Sequence, residues 1–342
     1  MVRIRQGWLV AALALSVGAG ACKKKDDNKA PATGSAAGSA AAPTPAEKPA
    51  DKPATPAGAP TGAAAEDLSL LPVDSEVVMG LNFAQLQKSV LWKKLVEPQL
   101  AKSDVQQKLG KFKDACGFDP ITAVQSLSIG MKGVGAEKPD GVIVIHGPEK
   151  AKVLPCLDKF KAEAEKEGTK VATEGDVVTI TGKDGEPVAF TFVGDTTAVA
   201  VIGANANAAG VKAAAAGGSA LKTSPAFVEM YGKIKTGDSL WMLMNGNSKA
   251  FDQAAGLGFR PKAVFGSVNV TDGLTADMSV RLESPEKATQ FAGMLKQQAG
   301  QLAPMVDKLD INSDASDVKL ALALSSQKLE GLINQFGAFL PK

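Results

Sequence analysis

Two stretches decide the fold: Val142-Ile143-Val144-Ile145-His146-Gly147-Pro148-Glu149-Lys150-Ala151, and further along Ala276-Asp277-Met278-Ser279-Val280-Arg281-Leu282-Glu283-Ser284-Pro285-Glu286-Lys287-Ala288. Each runs from a segment of strand length and strand composition into Pro-Glu-Lys-Ala, a helix opening with proline where the first turn has no use for an amide hydrogen. After the first tetrapeptide, Leu154 and Leu157 stand three and six residues beyond Ala151. After the second, Phe291 and Met294 stand at the same spacing from Ala288.

The context repeats as well. Leu127–Met131 and Val142–Ile145 precede the first Pro-Glu-Lys-Ala, and Val264–Val270 and Ala276–Leu282 precede the second. Val77–Asn82 and Leu240–Asn245 open the two series with apolar strands that both end in asparagine. A four-residue identity alone is weak, but recurring in the same element order it points to duplication. The expected fold class is α+β: two related units of mainly antiparallel sheet with helices packed on one face, set side by side or merged in one continuous sheet. Residues 67–220 form the first unit and 221–342 the second.

Hairpins are expected where Asp184-Gly185, Gly194-Asp195 and Asp272-Gly273 separate apolar runs, since these pairs supply the positive φ angles of tight turns. The spacing of Phe291, Leu295, Ala299, Leu302, Val306 and Leu309 predicts one long helix with an apolar stripe, kinked near Pro304. Leu329, Leu332, Ile333, Phe336 and Phe339 predict a C-terminal helix.

Upstream of residue 67 the composition changes. Arg3 and Arg5 precede a short apolar run, Trp8 to Val17, and Ala19-Gly20-Ala21 offers a small-residue cleavage site. The run is shorter than the ~20 residues a membrane span requires, so residues 1–21 read as a secretory signal peptide. Ala19-Gly20-Ala21-Cys22 resembles a lipobox, without its usual leucine three residues before the cysteine. Lipidation of Cys22 is the expectation, and an ordinary cut before a free thiol is the alternative. Residues 23–66 hold 15 Ala and 7 Pro and no Val, Ile, Leu, Met, Phe, Trp or Tyr, so they bury too little apolar surface to offset chain ordering. They read as a disordered spacer behind the anchor. Lys23, in place of aspartate after the cysteine, resembles the pattern of outer-membrane sorting.

Residues 67–342 carry 30 Lys+Arg against 31 Asp+Glu, and only two of the former are arginine, Arg260 and Arg281. This argues against nucleic acid and phosphate-rich partners. One histidine, His146, excludes a multi-histidine metal site. Standing alone at a strand end, it reads as structural. No nucleophile elbow, Walker loop, Cys-x-x-Cys or His-Glu-x-x-His is present. Asp310-x-Asn312-x-Asp314-x-Ser316 begins like a calcium loop, but Ala315 replaces its glycine and Ala321 its final glutamate. It reads as a turn between the long helix and strand Val318–Leu324. No catalytic residue, metal or cofactor is expected. With Cys22 lipidated, Cys116 and Cys156 remain as a pair in an oxidising compartment and are expected to form a disulfide.

Leu71-Pro72-Val73-Asp74-Ser75-Glu76-Val77-Val78, Cys116-Gly117-Phe118-Asp119-Pro120 and Cys156 after a helix start resemble uncharacterised tandem-repeat lipoproteins of myxobacteria. The resemblance covers roughly residues 67–342. It implies the anchor and the paired cysteines and no reaction. The expected function is a non-enzymatic structural or interaction module, held at the outer membrane through Cys22 and facing the periplasm or the surface, with a protein partner. The alternative is a periplasmic carrier of an apolar, lipid-like ligand.

Overall fold

Short runs of apolar residues become strands here, and several are folded back on the next strand in the chain by a tight turn. The computed structural model describes residues 66–342 apart from 135–137, 167, 184, 218–219, 253–258, 301–302 and 337–342. The signal, Cys22 and the spacer up to residue 65 therefore lie outside the described residues, as do Asp184, Leu302 and Phe339. In chain order the elements are β1 (Val77–Asn82), α1 (Ser103–Cys116), β2 (Ser126–Lys132), β3 (Asp140–His146), α2 (Lys150–Lys166), β4 (Lys170–Glu174), β5 (Val177–Thr181), β6 (Pro187–Phe192) and β7 (Thr197–Ile202). Then follow α3 (Ala208–Ala216), α4 (Pro225–Tyr231), β8 (Leu240–Asn245), β9 (Ala263–Asn269), β10 (Leu274–Arg281), α5 (Pro285–Ala299), β11 (Lys308–Asp314), β12 (Asp317–Leu324) and α6 (Ser326–Phe336). Short helical turns fill 83–100, the middle one a π-turn at Trp92–Val96.

Among the described residues all strands join one antiparallel sheet of 12, in the order β11-β12-β10-β9-β8-β1-β2-β3-β7-β6-β5-β4. The duplication is written into its register. Val77 faces Met131 across β1–β2 as Leu240 faces Val268 across β8–β9. Continuing outward, β3 matches β10, β7 matches β12 and β6 matches β11 residue for residue. Isolated hydrogen bonds follow the same correspondence. Gln125 N donates to the His146 carbonyl as Lys262 N does to Arg281, and Gly147 N donates to Thr196 as Leu282 N does to Ser316. Among the described residues the hairpin β4–β5 has no counterpart in the second half.

The halves meet through their equivalent first strands, β1 against β8, with Met79 opposite Met242. These two residues are equivalent in the repeat, so a local two-fold axis passes between them. One sheet face carries the main core: Val78, Val144, Val199, Trp241, Leu243 and Phe265 lie under Leu68 and Leu71, Val211 of α3, and Phe227, Met230 and Tyr231 of α4. On the opposite face α5 places Ala288, Ala292, Phe291 and Leu295 against Ile311 and Val318. The helices thus cover both faces, α3 and α4 on the main-core side and α5 on the other.

Several local expectations change. α5 stops at Ala299, the next turn is a short 3-10 helix at Ala303–Met305, and Leu309 belongs to a strand. Its helical spacing is accidental, since Gly300 and Pro304 interrupt the helix before it arrives. The segment Asp310-x-Asn312-x-Asp314 is no loop. The acids alternate with Leu309 and Ile311 at the period of two that makes β11, and the turn follows at Ala315, with φ 49°. α2 begins at Lys150, two residues after Pro148, whereas Pro285 does occupy the first turn of α5, behind Ser284, whose hydroxyl accepts from Lys287 N.

Candidate functional site

His146 ends β3, where its side chain turns to the main-core face and meets the segment before β1. Its Nε2 lies 2.7 Å from Asp67 Oδ1, and Thr197, its neighbour across β3–β7, places Oγ1 3.2 Å from Nδ1. Asp67 is almost wholly buried, with side-chain exposure of 3%. The hydrogen bond to Asp67 raises the His146 pKa above 6.5, against the opposing pull of burial and with help from the charges of Asp67 and Glu66. Threonine, histidine and aspartate in line have the form of a nucleophile relay.

The second half carries a different group at this position. The repeat places Arg281 where His146 stands and Asp317 where Thr197 stands. Arg281 Nε donates to Asp317 at 2.7 Å, and its terminal nitrogens reach Glu229 of α4 at 2.7 and 3.1 Å. Lys233 joins both acids. The Arg281 hydrogen bond draws the Glu229 pKa down to about 2. Burial would raise Asp317, but its bonds and charge contacts with Arg281 and Lys233 hold it below the ordinary value. In both halves a basic side chain at the end of the third strand clasps an acidic one on the segment that leads into the first strand. The shared element is a tie between segment and sheet, and its partners were not legible in the sequence because they stand far from His146 and Arg281 along the chain. That both basic residues close the third strand just before Pro-Glu-Lys-Ala was the available signal.

Beside the clasp, the Tyr231 hydroxyl is buried with no hydrogen-bond partner among the described residues. Burial pushes its pKa up to about 12. Its ring stands edge-on to Trp241, 5.4 Å between centroids.

The other sheet face differs in chemistry. Met278, Gly266, Met242, Met79, Ile129 and Ile143 form one row across six neighbouring strands. Val280, Val264, Met244, Val77 and Met131 form the row beside it. At the sheet's usual strand spacing the first row runs about 24 Å and the second about 19 Å. On β1, β2, β3 and β8 the main-core residues are buried, while Met79, Ile129, Ile143, Met242 and Met244 keep partial exposure. Methionine gives such a strip an adaptable apolar surface.

Cys116 and Cys156 form the expected disulfide, with Cα atoms 4.9 Å apart. It joins the end of α1 to α2, where Phe112 stacks on Phe160 and meets Phe118 edge-on. This bond fits an extracytoplasmic location. Among the described residues no cluster of His, Cys, Asp and Glu is arranged to hold a metal, and no helix is long and apolar enough to cross a membrane. No family model, curated protein or solved structure matches the chain.

Proposed function

We propose that the chain is a lipid-anchored protein of the cell envelope whose folded part serves as a non-enzymatic interaction module. One observation carries this reading: the histidine relay has an arginine–carboxylate clasp as its repeat counterpart, so the most site-like polar group has a structural explanation. The anchor rests on Cys22 after its signal-like segment, and the spacer gives the module reach. A Gly-like coil of 44 residues spans about 37 Å and an extended polyproline II chain about 140 Å.

Two measurements test the reading. Labelling cells with an alkyne fatty acid marks the full chain and leaves a Cys22→Ala variant unmarked; equal labelling of neither removes the anchor. Native mass spectrometry of the chain, released without detergent, gives a mass two hydrogens below that of the reduced protein and no adduct. The half-buried methionine strip favours a second reading, a carrier of an apolar ligand. Adducts of a few hundred daltons that vanish on denaturation would put that reading first.

A further inference from the structure

The two halves differ at their outer edges. In the first, β5 and β4 continue the sheet beyond β6; in the second, β11 is the last strand among the described residues. Since β6 and β11 correspond, β5 shows what the β11 edge is shaped to receive. Gly182 N donates to the Glu186 carbonyl, and with the β5–β6 register this makes Ile180–Val188 and Val178–Phe190 the doubly hydrogen-bonded pairs. The equivalents of Val188 and Phe190 are Leu309 and Ile311.

The backbone of those two residues faces outward. Leu282 N donates to Ser316, which turns Val318, Leu320 and Leu322 of β12 toward β10 and the alternate residues toward β11. Lys308, Asp310 and Asn312 therefore bond to β12, and the amides and carbonyls of Leu309 and Ile311 point away from the sheet. A cleft of about 390 Å3 follows this edge, lined by Leu309 and Ile311 from one face, Asp310 and Asn312 from the other, and Lys296 and Ala299 of α5. Residues of both faces line it, so it wraps the rim of the strand.

We propose that the β11 edge accepts an extended strand from a partner protein, antiparallel, with β-branched apolar residues two apart. This deepens the interaction-module reading and rests on it. The incoming residues paired with Ile311 and Leu309 correspond to Val178 and Ile180 and meet the apolar face under α5. The residue between them corresponds to Thr179 and faces Asp310, which suits a hydroxyl or a lysine. Lys308, Asp310 and Asp314 all project to one face, so they select against uniformly apolar strands while leaving the outward backbone open.

The test uses the full chain and a labelled peptide of residues 176–182, the β5 sequence. The expected result is saturable binding with slowed hydrogen exchange at the Leu309 and Ile311 amides. The same peptide N-methylated at Val178 and Ile180 keeps its side chains but loses two ladder hydrogen bonds, and should bind at least about tenfold more weakly. Equal binding of both peptides, or unchanged exchange at these amides, overturns the proposal. So does a solution dimer with both amides already protected, since a second copy would then own the edge. None of these outcomes bears on fatty-acid labelling at Cys22, so failure of the edge and failure of the anchored module are separable.

Discussion

His146 is a neutral imidazole or a cation according to its surroundings, and here Asp67 decides. The buried carboxylate favours the protonated ring, so the clasp contributes most when His146 is charged. Because its pKa is raised in the fold, that contribution is fully present below about pH 6.5, the ordinary imidazole value, and is lost as pH rises through the higher folded value. The melting temperature of the wild type should fall, relative to a His146→Gln variant, as pH climbs from 6 to 8. Parallel pH profiles for the two proteins would refute the clasp. The place of the histidine at a strand end was legible in the sequence, but its partners were not. Asp67 and Thr197 have no local spacing relation to it, and only the sheet register and the packing of the leading segment bring them together.

At the scale of elements, the junction of β1 and β8 shows how a repeated strand pair accommodates unequal side chains. Two pairs flank the local axis on the main-core face: Val78 with Leu243, and Gly80 with Trp241. The axis exchanges them, so a medium–medium pair on one side answers a small–large pair on the other. A Cβ at Gly80 would lie 2.2 Å from the Trp241 indole, which is 3% exposed and braced by Tyr231. Gly80→Ala should therefore cost about 1–3 kcal/mol, since a packed indole has nowhere to move. In a Trp241→Val background the same change should cost little, and strict additivity in chemical denaturation would show that the contact is not the cause. Strand alternation and the Pro-Glu-Lys-Ala repeat made these elements readable. The β4–β5 hairpin and β11 were harder: the former breaks the repeat, and the latter carries acids at a spacing that also opens calcium loops. Leu309 shows the limit of periodicity, since it fits a helical stripe from Phe291 yet stands beyond the breaks at Gly300 and Pro304.

For the whole molecule, the question is whether two repeats behave as two folding units. The chain-entropy relation gives the Cys116–Cys156 staple, closing a loop of sequence separation 40, an upper-end worth of roughly 4 kcal/mol. It lies wholly in the first half. If β1 and β8 merely touched, removing it would loosen that half alone. But β1 is paired on both sides, with β2 and with β8, and the main core draws Leu68 and Val144 from one half and Trp241, Leu243 and Phe265 from the other. Unfolding the first half would expose one side of that core and leave β8 an unpaired edge, so the loss should be felt throughout. Cys116→Ser should therefore lower a single calorimetric transition, by roughly 8 °C if the full entropic term applies. Two resolved transitions, only the lower of which moves, would mean that the duplicated units keep separate stabilities despite their shared sheet.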